Sequence, residues 1–191
     1  HKLLVYYCTD NFSATSLDAK KITKIENSVI RLSDLVFVMS LNLTRHCRKF
    51  NQHVFRVPMG VNLERFTKVR QAATQRPKEL LNINVPIIGY VGAIKHFLDN
   101  ELIRLLAQEF KNCAIVFVGP IHTKVSKLKK SENIIFVEAK EHKDIPGYIM
   151  YFDCCIIPYI KNDYTDNISP AKLNEYLIMG KPVVSTDLSG V

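Results

Sequence analysis

Residues 87–120 read IIGYVGAIKHFLDNELIRLLAQEFKNCAIVFVGP. Ile87–Val91 is a short apolar run closed by Gly92, and its length and flanking glycine predict a buried strand. Asp99 is placed to begin a helix. Behind it Leu102, Ile103, Leu106 and Phe110 recur at the spacing that gathers apolar side chains on one helical face. Ala114–Val118 is a second apolar run, ended by Gly119-Pro120. Parallel neighbours need a long crossover connection, so strand, helix and strand in this order predict a parallel sheet.

The pattern continues downstream. Ile121–Lys130 reads as a weak helix, Asn133–Val137 as a strand, and Asp144–Phe152 as a short helix carrying Ile145, Tyr148, Ile149 and Phe152. Cys154–Tyr159 is a strand, Pro170–Met179 a helix and Val183–Ser185 a last strand. Together these predict a doubly wound, Rossmann-like α/β sheet over 87–191. Such sheets bind ligands outside the carboxyl ends of their strands, so function is expected in the loops after 92, 119, 138, 160 and 186.

Upstream, Leu3–Cys8, Leu35–Met39 and Val54–Val57 read as strands. Between the first two, Ile22, Ile25, Val29 and Leu32 mark a helix from about Ser16, and Ser40 is placed to cap another. Residues 1–66 are therefore expected to be the second half of another Rossmann-like domain. Residues 67–86 are polar and basic, contain Pro77 and end at Pro86, and read as an interdomain linker. A chain that opens on His1 and enters an apolar run at once reads as a fragment whose upstream strands are missing.

Composition agrees with a globular α/β protein. The 191 residues are 47% hydrophobic and 23% charged with mean hydropathy near zero, which excludes disordered and collagen-like classes. No apolar run approaches the ~18 residues of a membrane span, and no secretory leader is evident. Cys8, Cys47, Cys113, Cys154 and Cys155 form no C-x-x-C pair and read as buried, reduced thiols of a cytoplasmic protein. The histidines show no ligand spacing, so no metal is expected.

Charge is distributed unevenly. The whole net excess of +8 lies in the first 86 residues, while 87–191 holds 12 basic and 12 acidic residues. Lys20, Lys21 and Lys24 cluster on one candidate helix, and Arg45, Arg48 and Lys49 on another. Residues 20–49 are thus candidates for peripheral contact with an anionic membrane at its inner face. A solvated helix face is the alternative. A nucleic-acid role is not expected, because no interleaved aromatics or recognised module accompany the basic groups.

Residues 167–182, NISPAKLNEYLIMGKP, carry the chemistry. Ser169 is a good N-cap, Pro170 suits the first helical position, and Gly180 and Pro182 end the helix. The free amides at such a helix start favour an anion. Lys172 in the first turn opposes the helix dipole, and an anionic ligand such as a diphosphate would relieve that conflict. Glu175 lies three residues on, on the same face, and a carboxylate suits the two hydroxyls of a ribose. A surface Lys–Glu pair is the other reading of this spacing. The chain has no G-x-G-x-x-G, Walker A or G-x-S-x-G sequence, which argues against dehydrogenases, P-loop NTPases and α/β-hydrolases.

Residues 169–186, SPAKLNEYLIMGKPVVST, together with Ile88–Ala93, Phe117–Pro120, Ile145–Tyr148 and Phe152–Tyr159, resemble the donor-binding domain of GT-B fold glycosyltransferases. The likeness is to the family 4-like bacterial enzymes of envelope and exopolysaccharide synthesis. Val5–Asp10, Ser33–Ser40 and Val57–Phe66 resemble the second half of that family's N-terminal, acceptor-side domain. The resemblance implies transfer of a sugar from a UDP- or GDP-sugar to a glycan or lipid-linked acceptor, usually metal-independent and retaining, with no cofactor beyond the nucleotide-sugar substrate. It implies Glu175 on the ribose, and the sequence adds Lys172, Ser169, Pro170, Ala171, Asn167, Gly92 and Lys95 as donor-site candidates, with Asp10 as a candidate acceptor-side catalytic group. The family's first carboxylate falls on Asn167, and its diphosphate-binding Arg on Ala93, for which Lys95 or Lys172 would substitute. Met59 and Asn62 replace the usual Asn and Asp of the linker motif. A catalytically incomplete nucleotide- or membrane-binding module is the alternative.

Overall fold

Short apolar runs become parallel strands throughout. The computed structural model describes residues 3–72 and 75–191. Among these, β1 (Val5–Cys8), β2 (Leu35–Val38) and β3 (Val54–Arg56) form one sheet in the order β1-β2-β3. Helix α1 (Ala19–Leu32) begins where the Asp18 carboxylate accepts the Lys21 amide at 3.0 Å. Its end is held by Asn51, whose Nδ2 donates to the carbonyls of Ile30 and Ser33 at 2.8 and 2.7 Å while its Oδ1 accepts the His53 amide. One side chain thus closes α1 and leads into β3. Helix α2 (Leu41–Cys47) is capped by Ser40, as its sequence predicts, with Oγ accepting the Leu43 amide at 3.3 Å. Cys8, Ile30, Val36, Val38, Leu43, Cys47 and Val54 make the core of this unit.

The second sheet contains β4 (Ile87–Val91), β5 (Ala114–Val118), β6 (Ile134–Val137), β7 (Cys154–Ile157) and β8 (Val183–Ser185), all parallel, in the order β6-β5-β4-β7-β8. This is the doubly wound order the alternation predicts. Every residue of β5 is buried, as a central strand covered on both faces requires. Helix α4 (Asn100–Glu109) starts on Asp99, whose Oδ1 accepts the amides of Glu101 and Leu102. Asn133 repeats the device of Asn51. Its Nδ2 lies 3.1 Å from the carbonyls of Ala107, Phe110 and Cys113. Helix α5 is Ile145–Met150 and α6 is Ala171–Ile178. Gly89 in β4 permits the Phe152 ring to lie against the strand, since a Cβ there would fall 1.9 Å from a ring carbon.

Two expectations about elements change. The weak helix over 121–130 shrinks to a single 3₁₀ turn, Leu128–Lys130. Ile121 is held extended instead, bridging Ile94 in parallel, with the His122 amide donating to the Ile94 carbonyl at 2.9 Å. The stretch expected to be a linker, 67–86, begins inside helix α3 (Leu63–Gln71) and holds another turn at Lys78–Leu80; positions 73 and 74 lie outside the described residues. Phe66 of α3 is fully buried, and Arg70 donates to the carbonyl of Ile178 on α6.

The contacts divide the described chain after Gly60. Val61–Ile160 and Ala171–Thr186 form one unit, while Lys161–Pro170 and Asp187–Val191 belong with the first 60 residues. Hydrogen bonds explain the return. Asn42 donates to the Asp166 carbonyl at 3.1 Å, and the amide of Ser189 donates to the Asp166 carboxylate at 2.9 Å. All five cysteines are free. Among the described residues no helix is long and apolar enough to cross a membrane.

Candidate functional site

Three strands of the second sheet end in one row, with Val91 opposite Val118 and Val118 opposite Val137. Just beyond that row the chain is stripped to backbone. Gly92 has φ +132° and Gly119 φ +150°, and a Cβ on Gly119 would lie 2.3 Å from the Gly92 carbonyl oxygen. Only glycine accommodates both the dihedral and the approach. The Gly92 and Gly119 amides continue the ladder, donating to the carbonyls of Val118 and Val137.

Helix α6 is set against this edge by a buried phenol. The amide of Val91, last residue of β4, donates to the Tyr176 hydroxyl at 2.8 Å, and Tyr176 has no exposed surface. Its position fixes the turn before it. Ala171, Lys172 and Glu175 therefore line a pocket of about 270 Å³ together with Val91, Gly92, Val118, Gly119 and Pro120. Ala139, Lys140, His142 and Ile145, from the segment after β6, complete the wall.

Lys172 is held by aromatic groups. Its Nζ donates to the Tyr159 hydroxyl at 2.6 Å and lies 5.1 and 5.2 Å from the ring centroids of Tyr90 and Tyr159. Burial, above all, pushes the Tyr90 phenol well above its ordinary range, so it stays protonated and donates to the Ala93 carbonyl. A lysine in a first helical turn meets the positive end of the dipole, and the Tyr90 ring and the Tyr159 hydroxyl oxygen offset that conflict.

Glu175 is mostly covered, with 14% of its side chain exposed, and its Oε1 lies 2.9 Å from His142 Nε2. The other ring nitrogen of His142, Nδ1, meets Arg65 of α3. Lys140 pairs at 2.6 Å with Glu79, which also accepts from the Tyr148 hydroxyl at 2.8 Å. The Lys140 hydrogen bond chiefly, with Tyr148 adding to it, draws the Glu79 carboxyl down to about 2.

Of the donor-site residues expected from sequence, the structure brings Gly92, Ala171, Lys172 and Glu175 to one pocket. Lys95 is exposed and outside its lining. Ser169, Pro170 and Asn167 belong by their contacts to the first unit. There Asn167 lines a separate pocket of about 250 Å³ with Asn11, Ser13, Thr23, Glu26, Leu43 and His46. It is pulled to that place by its own bond to the Asp163 carbonyl, at 2.6 Å. Asp10 follows β1 in the same unit, and burial raises its carboxyl above the usual range. Lys140 and His142 were not foreseen as site residues. Their signal was positional, since they lie just past the end of a strand at the functional edge. Among the described residues no cluster of three or more His, Cys, Asp or Glu stands close enough to hold a metal.

Comparison with known proteins adds sequence relatives to this geometry. The family model for glycosyl transferases group 1 matches residues 85–191. A Bacillus subtilis (strain 168) glycosyltransferase named for teichuronic acid biosynthesis, TuaH, is 28% identical over 202 residues, covering 97% of this chain and 50% of that protein. Among solved structures, Alr3699/HepE of Anabaena in complex with UDP-glucose superposes with a TM-score of 0.72 at 17% identity, covering 97% of this chain and 54% of its own. Sucrose-phosphate synthase of Thermosynechococcus elongatus gives 0.71 at 18%, covering 97% and 50%. The chain spans about half the length of these relatives. The structural likeness is one of fold, the parallel Rossmann-like α/β architecture of GT-B glycosyltransferases.

Proposed function

Since the chain belongs to the group 1 glycosyl transferases, we propose that it takes part in moving a sugar from a nucleotide-sugar to a glycan or lipid-linked acceptor. The observation that carries this reading is the convergence of Ala171, Lys172 and Glu175 of α6 on the bare glycine edge of β4 and β5. In this reading Glu175 accepts hydrogen bonds from the ribose hydroxyls. The backbone at Gly92 and Gly119 admits the phosphates closely, and Lys172 balances their charge by leaving its aromatic rings or by acting across them. Fixed donors and cations lower the barrier by stabilising the diphosphate as the glycosidic bond breaks. Retention of configuration and independence from metal are parts of the proposal that product stereochemistry and chelator controls test directly. UDP is the first donor base to test, because a neighbour in fold binds UDP-glucose; GDP is the second.

Titration of UDP and GDP into the protein and into Glu175→Ala tests the pocket. We expect binding in the low-to-middle micromolar range and about a tenfold loss in the variant, the value of one hydrogen bond to a charged group. Unchanged affinity in Glu175→Ala would remove the carboxylate from the site.

For the acceptor side, the pocket of Asn11, Ser13, Thr23, Glu26 and His46 offers hydroxyls, amides and a carboxylate suited to a hydroxylated ligand. A specific observation also favours contact with an anionic membrane. Lys20, Lys24 and Arg31 line one open depression along α1; Leu17, just before the helix, and Ile25, elsewhere on the helix, are exposed. Binding to vesicles containing anionic lipid should weaken steeply with added salt. Equal binding to neutral vesicles, or none, would reject the contact.

A further inference from the structure

The Arg65–His142–Glu175 chain draws on three separate elements: α3, the segment between β6 and α5, and α6. A guanidinium has only donors, so the Nδ1 of His142 must accept from Arg65. The proton of a neutral imidazole then sits on Nε2 and is donated to Glu175 Oε1 at 2.9 Å. The Phe66 ring, fully buried, meets the imidazole edge-on at 6.2 Å. His142 is 57% exposed and Glu175 14%, so the imidazole stands in solvent while the carboxylate lies covered.

This arrangement differs chemically from a direct Arg–Glu pair. A guanidinium fork tends to engage both oxygens of a carboxylate. A single imidazole N–H engages one. Among the described residues Oε2 has no hydrogen-bond partner, which leaves it an open acceptor. We propose that His142, oriented by Arg65, is a positioning residue that holds Glu175 in one rotamer with Oε2 free for the nucleotide's sugar hydroxyls, so that the pocket selects ribose over its deoxy analogues. This rests on the reading of Glu175 as the ribose acceptor and adds the group that orients it.

The experiment compares UDP with 2′,3′-dideoxy-UDP by calorimetry, using the guanosine pair if GDP binds more tightly. The protein, His142→Ala, His142→Gln and Glu175→Ala are each titrated, with thermal melts as a control for folding. The expected result is a preference for the ribose form in the protein, about tenfold smaller in His142→Ala and restored in His142→Gln, whose side-chain amide can donate to the same oxygen. The affinity ratio, unlike overall affinity, does not respond to a purely structural role. If Glu175→Ala keeps the preference, the ribose reading itself falls. If Glu175→Ala loses it and His142→Ala keeps it, Glu175 acts unaided and the positioning role is overturned. Failure of His142→Gln to restore the preference overturns it as well, because the effect would not run through the N–H.

Discussion

Glu79 and Lys140 show how a residue far from a site in sequence supports it. Lys140 lines the proposed donor pocket, and its ammonium is held at 2.6 Å by Glu79, some sixty positions earlier. The carboxyl titrates at about 2 in the folded protein against 4.5 for an ordinary glutamate. A depressed acid contributes stability that is complete above its unfolded value and is lost as pH falls through the folded one. Unfolding free energy should therefore decline from about pH 5 toward pH 2, and Glu79→Gln should flatten that decline in urea titrations at fixed pH values. An unaltered slope would show that the pair is not formed in solution. Lys172 makes a related point. Its place in the first turn was readable from sequence, and so was its conflict with the dipole. The partners it finds, Tyr90 and Tyr159, lie on β4 and just beyond β7, and no local spacing connects them to it.

At the scale of elements, α6 matters most, because its placement decides which side chains meet. The single buried bond from Val91 to Tyr176 ties it to the end of β4. Tyr176→Phe would leave that amide unpaired away from water, at a cost of about 1–3 kcal/mol. We expect a lower denaturation midpoint with an unchanged slope, and weaker nucleotide binding because Glu175 precedes the tyrosine directly. Full stability in the phenylalanine variant would refute the tie. Strands and long helices were legible because apolar periodicity is a local property. Residues 121–130 were not, because Ile121 is claimed by Ile94 rather than by its own neighbours. Helix α3 hides for a similar reason. Its apolar face is narrow, and one residue, Phe66, supplies the fully buried contact.

For the whole chain, connectivity departs most from a linear reading. The segment Lys161–Pro170 and the last residues Asp187–Val191 leave the second unit and complete the first. Asp166 joins them. It accepts from the amide and hydroxyl of Ser189 and from Asn42, and the Ser189 amide in particular holds its carboxyl below the usual range. Asp166→Ala should lower hydrogen-exchange protection in α2 and residues 161–170 by about 1–3 kcal/mol of local opening, leaving β4, β5 and β6 unaffected. Protection lost equally in both sheets would contradict this division. The amino-acid order alone determined the alternation of strand and helix, the parallel sheets and the helix that carries Glu175, since each is written in local periodicity, caps and glycines; the family likeness rested on motif resemblance, above all of residues 169–186. Only the tertiary structure decided that Asn167 lines a pocket of the first unit, that His142 and Arg65 join Glu175, and that helix α3 runs on to Gln71. Those outcomes depend on hydrogen bonds and burial between residues that sequence distance does not relate.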